Sequence, residues 1–167
     1  FWDHRASRGG ALAVSESGTV ELTNSTFSES RASEAGGAID SAGTVTLVHC
    51  TVSLNEAPAG AGIGNRGSLT LDNSVVANNT GGDPIDGGVT AERGANLVTA
   101  TDLNLAPLAY YGGPTPTMPP CVGSPAIDAA VGSSLEKDQR GHTRAKNGTG
   151  GGAASDLSLI HISEPTR

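Results

Sequence analysis

Along residues 19–79 apolar side chains recur at every second position, lapse, and recur in the same phase. Three stretches align without gaps: Thr19-Val-Glu-Leu-Thr-Asn-Ser-Thr-Phe-Ser-Glu-Ser30, Thr44-Val-Thr-Leu-Val-His-Cys-Thr-Val-Ser-Leu-Asn55 and Ser68-Leu-Thr-Leu-Asp-Asn-Ser-Val-Val-Ala-Asn-Asn79. The pairs Val20/Leu22, Val45/Leu47 and Leu69/Leu71 have the period of two that marks a strand with one buried face. After a bend a second apolar run places Ser25, Cys50 and Ser74 in one phase, and Phe27, Val52 and Val76 in another. A further unit precedes each stretch, as Gly9-Gly-Ala-Leu12, Gly36-Gly-Ala-Ile39 and Gly60-Ala-Gly-Ile63. Each repeat is therefore predicted to hold a glycine corner, a short strand, a turn, a second strand, a bend and a third strand.

Self-similarity at this period belongs to solenoids. The predicted fold class is all-β, a right-handed parallel β-helix in which equivalent positions of successive coils stack into ladders about 4.8 Å apart. An antiparallel sandwich also explains the alternation. It does not explain glycine corners locked in phase with the strands. Ladders of Leu22/Leu47/Leu71 and Phe27/Val52/Val76 are the test of this reading.

Composition agrees with a repeat-specified fold. Aromatic residues are 3% of the 167-residue chain and glycines number 24, too little bulk for irregular jigsaw packing to define the structure. Ten Lys and Arg against 17 Asp and Glu give a net charge of −7 with no basic cluster, which argues against nucleic acid as a partner. No apolar run of about 18 residues is present, so no membrane-spanning helix is predicted. Cys50 and Cys121 lack metal or redox-motif spacing, and the sequence leaves a disulfide between them open.

The Gly-Gly-Ala units and the Phe-x-x-Asn-like ends of the repeats resemble those of polymorphic outer membrane proteins and other bacterial β-helix proteins. Further along stand Leu105-Ala-Pro-Leu-Ala-Tyr-Tyr-Gly-Gly-Pro-Thr-Pro-Thr-Met118, Gly123-Ser-Pro-Ala-Ile-Asp-Ala129 and Asp138-Gln-Arg-Gly141. This succession resembles the closing region of choice-of-anchor Q domain proteins. The resemblance implies a β-helix that is exported and held at the bacterial surface, extracellular in location. Leu157-Ser-Leu-Ile-His-Ile-Ser-Glu-Pro-Thr-Arg167 resembles a translated transposase-end sequencing adaptor. The expected organisation is β-helix coils over 1–102, a closing segment over 103–156 that packs along or over the stack, and non-native read-through over 157–167. With no Met or signal segment before Phe1, the chain is read as a metagenomic gene fragment truncated at both ends.

Candidate chemistry is sparse. Gly62-Ile-Gly-Asn-Arg-Gly67 fits a dinucleotide fingerprint by spacing, but a strand rather than a helix is predicted after it, so a repeat corner explains it better. Asp40 and Asp72 fall at different phases, and Glu21 aligns with Thr46 and Thr70, so no acids line up as lyases and glycosidases on this scaffold require. Asp83 and Asp86 in Gly81-Gly-Asp-Pro-Ile-Asp-Gly-Gly88 are the candidate calcium ligands. Two carboxylates are few for an ion that takes six to eight oxygens, and a solvated turn accounts for them as well. His49 aligns with Asn24 and Asn73 as a polar bend residue, while His4 and His142 lie far from it in sequence. Cys50, in phase with two serines, reads as a small buried side chain, and Asp138 with Arg140 as a clamp on the closing segment.

The expected function is noncatalytic: an adhesin-like or structural wall, monomeric, whose polar face takes a polysaccharide or a surface protein as partner. The alternative is a fragment of a β-helix polysaccharide lyase or glycoside hydrolase.

Overall fold

The computed structural model describes residues 1–133 and 135–144. The presumed read-through at 157–167 and the last part of the closing segment lie outside the described residues. Among these there is no helix, and sixteen short strands form four sheets of four. The first sheet stacks β1 (Arg5–Arg8), β5 (Arg31–Ala35), β9 (Glu56–Ala57) and β13 (Thr80–Gly81). The second stacks β2 (Leu12–Val14), β6 (Ile39–Ser41), β10 (Ile63–Asn65) and β14 (Ile85–Asp86). The third holds β3 (Thr19–Thr23), β7 (Thr44–Val48), β11 (Ser68–Asp72) and β15 (Ala91–Arg93), and the fourth β4 (Thr26–Ser28), β8 (Thr51–Ser53), β12 (Val75–Ala77) and β16 (Leu97–Thr99). Every strand pairs in parallel with its counterpart one coil away, and the chain is a parallel β-helix of about four coils.

Registers place the apolar positions as the repeat predicts. Leu22, Leu47 and Leu71 are successive partners, as are Phe27, Val52 and Val76. The Phe27 series runs on at both ends: Val98 pairs with Val76, and the Phe1 ring stacks on Phe27 with centroids 4.7 Å apart. With Ile39, Ile63, Val45 and Leu69 these ladders form a core that is dry in the middle coils. In the fourth coil Glu92 takes the place of Leu71 and is exposed, so the leucine ladder ends there.

One feature departs from the sequence expectation: each coil has four strands, not three. The first sheet went unread because Arg31, Ser33, Glu34 and Glu56 are exposed and show no apolar alternation.

Corners are made by left-handed residues at matching places. Gly9, Gly36 and Gly60 have φ of 60°, 65° and 56°, and a Cβ on any of them would meet a backbone carbonyl three residues on at 2.2–2.3 Å. Only glycine fits such a corner. Asn24, His49 and Asn73 form a second corner with φ of 48–50°, consistent with the polar bend read from the sequence. Glu29, Leu54 and Asn78 form a third. Beside it runs a buried polar ladder. Asn55 Nδ2 donates to the carbonyls of Phe27 and Ser53, and Asn55 Oδ1 accepts from the Ser30 amide; Asn79 repeats the pattern by accepting from the Asn55 amide and donating to Val52.

After the fourth coil the chain returns along the outside of the fourth sheet as a strap, residues 103–133 and 135–144. Leu103, Ala126 and Ala130 pack against Val75 and Ala77, and Met118 Sδ lies 3.4 Å from Ser28 Oγ in the first coil.

Candidate functional site

Asp83 and Asp86 line one depression, with Pro58, Ala59, Gly60, Gly81 and Gly82. Both are exposed. The carbonyl of Asp83 accepts from the Ala61 amide at 2.7 Å and that of Pro84 from Gly62 and Ile63, so nearby carbonyls already serve coil stacking. Among the described residues no group of three or more His, Cys, Asp or Glu side chains is placed to share a metal ion. Two solvated carboxylates do not supply the oxygen set that calcium takes.

Register reveals a relation that the alignment missed. Ala13, Asp40, Gly64 and Asp86 are successive partners in the second sheet, so Asp40 and Asp86 share a ladder with one coil between them. Coil spacing puts their backbones on the order of 10 Å apart. Asp40, however, is 3% exposed and enclosed by arginines from the coils on either side. Arg8 donates from Nε and Nη2, both at 3.1 Å, and Arg66 from Nη2 at 2.5 Å. Hydrogen bonding and charge from Asp40 hold the Arg8 guanidinium still further above its usual range. The carboxylate leans over Gly64, where a Cβ would stand 2.8 Å from Asp40 Oδ1. Gly64 lies inside β10 and a strand follows it, so the dinucleotide-like spacing is a product of coil stacking.

Other reactive side chains are similarly committed. Cys50 is fully buried, its thiol lies 3.3 Å from the Leu22 carbonyl, and burial pushes its pKa up to about 12. The backbone amide of Cys50 donates to Ser74 Oγ, its ladder neighbour. Both cysteines are free. His49 is 1% exposed; its Nε2 lies 2.6 Å from Ser133 Oγ, and burial, then the charge of Arg144, lowers its pKa to about 4. His4 and His142 are exposed. Asp138 accepts from the Arg140 side chain at 2.9 and 3.0 Å and from the amides of Arg140 and His142, while Arg140 reaches the Tyr111 carbonyl at 3.0 Å. That pair ties two turns of the strap together.

A trough of about 500 Å³ runs across the first sheet, contributed by β1, β5 and β9, by Pro58 and by Gly81 of β13. Its polar lining is Arg5, Arg31, Ser33 and Glu56, with Arg31 and Glu56 paired at 2.8 Å. Sequence reasoning missed it because the strands beneath it were not recognised. No helix among the described residues is long and apolar enough to cross a membrane. No family model, curated protein or solved structure matches the chain.

Proposed function

We propose that the chain is a noncatalytic β-helix of the bacterial surface or extracellular space, an adhesin-like wall that holds a linear polysaccharide in the trough over the first sheet. The observation that carries this reading is the trough itself. It crosses three coils in the stacking direction and offers guanidinium, carboxylate and hydroxyl groups at coil-to-coil intervals, a periodicity suited to a repeating polymer. The tail motifs that resemble choice-of-anchor Q proteins support the location. Affinity electrophoresis against neutral and uronate-containing polysaccharides tests it. Retardation by at least one polymer is expected, and Ser33→Trp, which fills an exposed place in the trough, should weaken it about tenfold, or 1.4 kcal/mol. Migration unaltered by every polymer would sink the glycan reading.

The second reading, a lyase or glycosidase, gains from the shared ladder of Asp40 and Asp86, since enzymes of that class work with two carboxyl groups on one face. Three hydrogen bonds from Arg8 and Arg66 to Asp40 weigh against it. No unsaturated product or reducing ends should form from uronate polymers, with or without calcium. Turnover that is abolished by Asp86→Asn would put the enzyme first.

A further inference from the structure

The two halves of the strap are held by different chemistry. Leu103, Ala126 and Ala130 bury apolar surface against the fourth sheet. From Val131 onward the contacts pass to polar side chains of the Asn24/His49/Asn73 corner, met in reverse order as the strap runs back towards the first coil. Asn73 brackets Val131, donating to its carbonyl at 3.1 Å and accepting from its amide at 2.9 Å. His49 meets Ser133 Oγ at 2.6 Å. Asn24 donates to the Lys137 carbonyl at 3.0 Å and accepts from Arg144 at 2.6 Å, and Thr26 donates to Gln139 at 2.8 Å.

Of the three corner residues, His49 alone is a titratable type, with an imidazole whose pKa in water lies near neutrality. A neutral imidazole has one N–H to satisfy, and Ser133 Oγ answers Nε2. A cationic ring has two. Its Nδ1 is buried with no hydrogen-bond partner among the described residues, so an added proton there meets no acceptor. The nearby charged and titratable groups are Arg144, Glu136 and Lys137 of the strap, Asp72 at the next corner and the Cys50 thiol. Arg144 is the one that acts on the ring by charge, and it repels the cation. Asp72 is engaged with Asn73 at 2.8 Å, and Cys50 stays neutral.

We propose that His49 is an acid-sensitive latch: protonation of its ring releases the distal half of the strap, residues 131–133 and 135–144, from the corner ladder while the coils and the proximal half stay in place. The direction follows from linkage. The docked ring has its pKa lowered to about 4 and a solvated ring titrates near 6.5, so the released form binds the proton better. Docking is at full strength above about pH 6.5 and weakens as pH falls towards 4, by on the order of a hundredfold. Release frees the Thr26 edge of β4, which is now buried and donates to Gln139.

Hydrogen exchange on the intact chain, corrected for the intrinsic pH dependence of amide exchange, tests the latch. Between pH 7 and pH 4, protection of the Val131 amide and of residues 135–144 should fall on the order of a hundredfold, while Leu47 and Leu71 amides keep theirs. His49→Asn, which copies the residue of the neighbouring coils, should remain docked at both pH values. Ser133→Ala, which leaves every coil intact, should loosen the distal half already at pH 7 and flatten the step. Constant protection in the wild type, an equal step in His49→Asn, or loss of coil and strap together would each overturn the proposal.

Discussion

Leu47 lies between Leu22 and Leu71 in a ladder closed to solvent, so truncating it opens a cavity with coils on both sides. Leu47→Ala should cost about 2–5 kcal/mol in denaturant unfolding. Thr46, its half-buried neighbour, should cost under about 0.5 kcal/mol as Thr46→Ala. Equal losses for the two would contradict the assigned faces. Cys50 gives a chemical check on the same core. A thiol with a raised pKa stays neutral in the fold, so its contribution is complete below the unfolded value near 9 and is lost as pH rises towards 12. In native protein at pH 8 iodoacetamide should label half-exposed Cys121 and spare Cys50 until denaturant is added. These ladder positions were legible because repetition reveals a face that no single segment does. His49 was legible only as a bend: its sequence neighbours say nothing of Ser133, which arrives from 84 positions away.

At the level of elements, legibility followed apolar contrast. The third sheet buries one face of its strands and leaves a period-two trace, while the strands of the second and fourth, buried at every position in the middle coils, were legible from apolar residues that return in phase from coil to coil. The first sheet carries Arg31, Ser33 and Glu56 outward and small alanines such as Ala32 and Ala57 at its buried positions, so nothing in its hydropathy separates strand from turn. Leu54 sits at φ 61° in the third corner, a conformation its chemistry does not announce. The Asp40 and Asp86 relation was hidden for another reason. Ile63 pairs with Ile85 across a shorter coil, so an alignment at the earlier spacing puts Asp86 out of phase. The strap has no repeat at all, and its course is fixed by contacts with residues a hundred positions earlier, such as Thr26 with Gln139. What binds one coil to the next is partly polar: Asn55 satisfies a backbone amide and two carbonyls that no water reaches. Asn55→Ala strands all three groups. It should cost about 2–4 kcal/mol, more than Leu54→Ala on the exposed corner beside it. Thermal melts of the two variants that coincide would remove the ladder from the account.

At the largest scale, a solenoid's coils are stabilised chiefly by their neighbours, and among the described residues the first and fourth coils have a neighbouring coil on one side only. The two ends differ. At the first coil Leu12, Val20 and Leu22 are half-buried and Phe1 stacks on Phe27, so apolar ladders run up to the edge. At the fourth coil Glu92 occupies the inward position below Leu71, Thr90 stands below Leu69 and caps its amide at 3.1 Å, and Val98 is 40% exposed. An inward charge on an edge strand makes pairing with another strand costly, because the carboxylate would have to be buried against the leucine ladder of the incoming coil. Glu92, exposed at the ladder position below Leu71, is therefore expected to disfavour the addition of a further strand at this edge. Glu92→Leu should add an apolar rung to a strand that pairs on one side only among the described residues, and sedimentation velocity should show association that grows with concentration, while the wild-type chain sediments as one species. The same substitution should leave exchange at Leu47 unchanged, since the coil of Leu71 lies between the sites. Association of the wild type equal to that of Glu92→Leu would show that the carboxylate plays no part in closing the end, and the role would pass to the strap that leaves the fourth coil at Leu103.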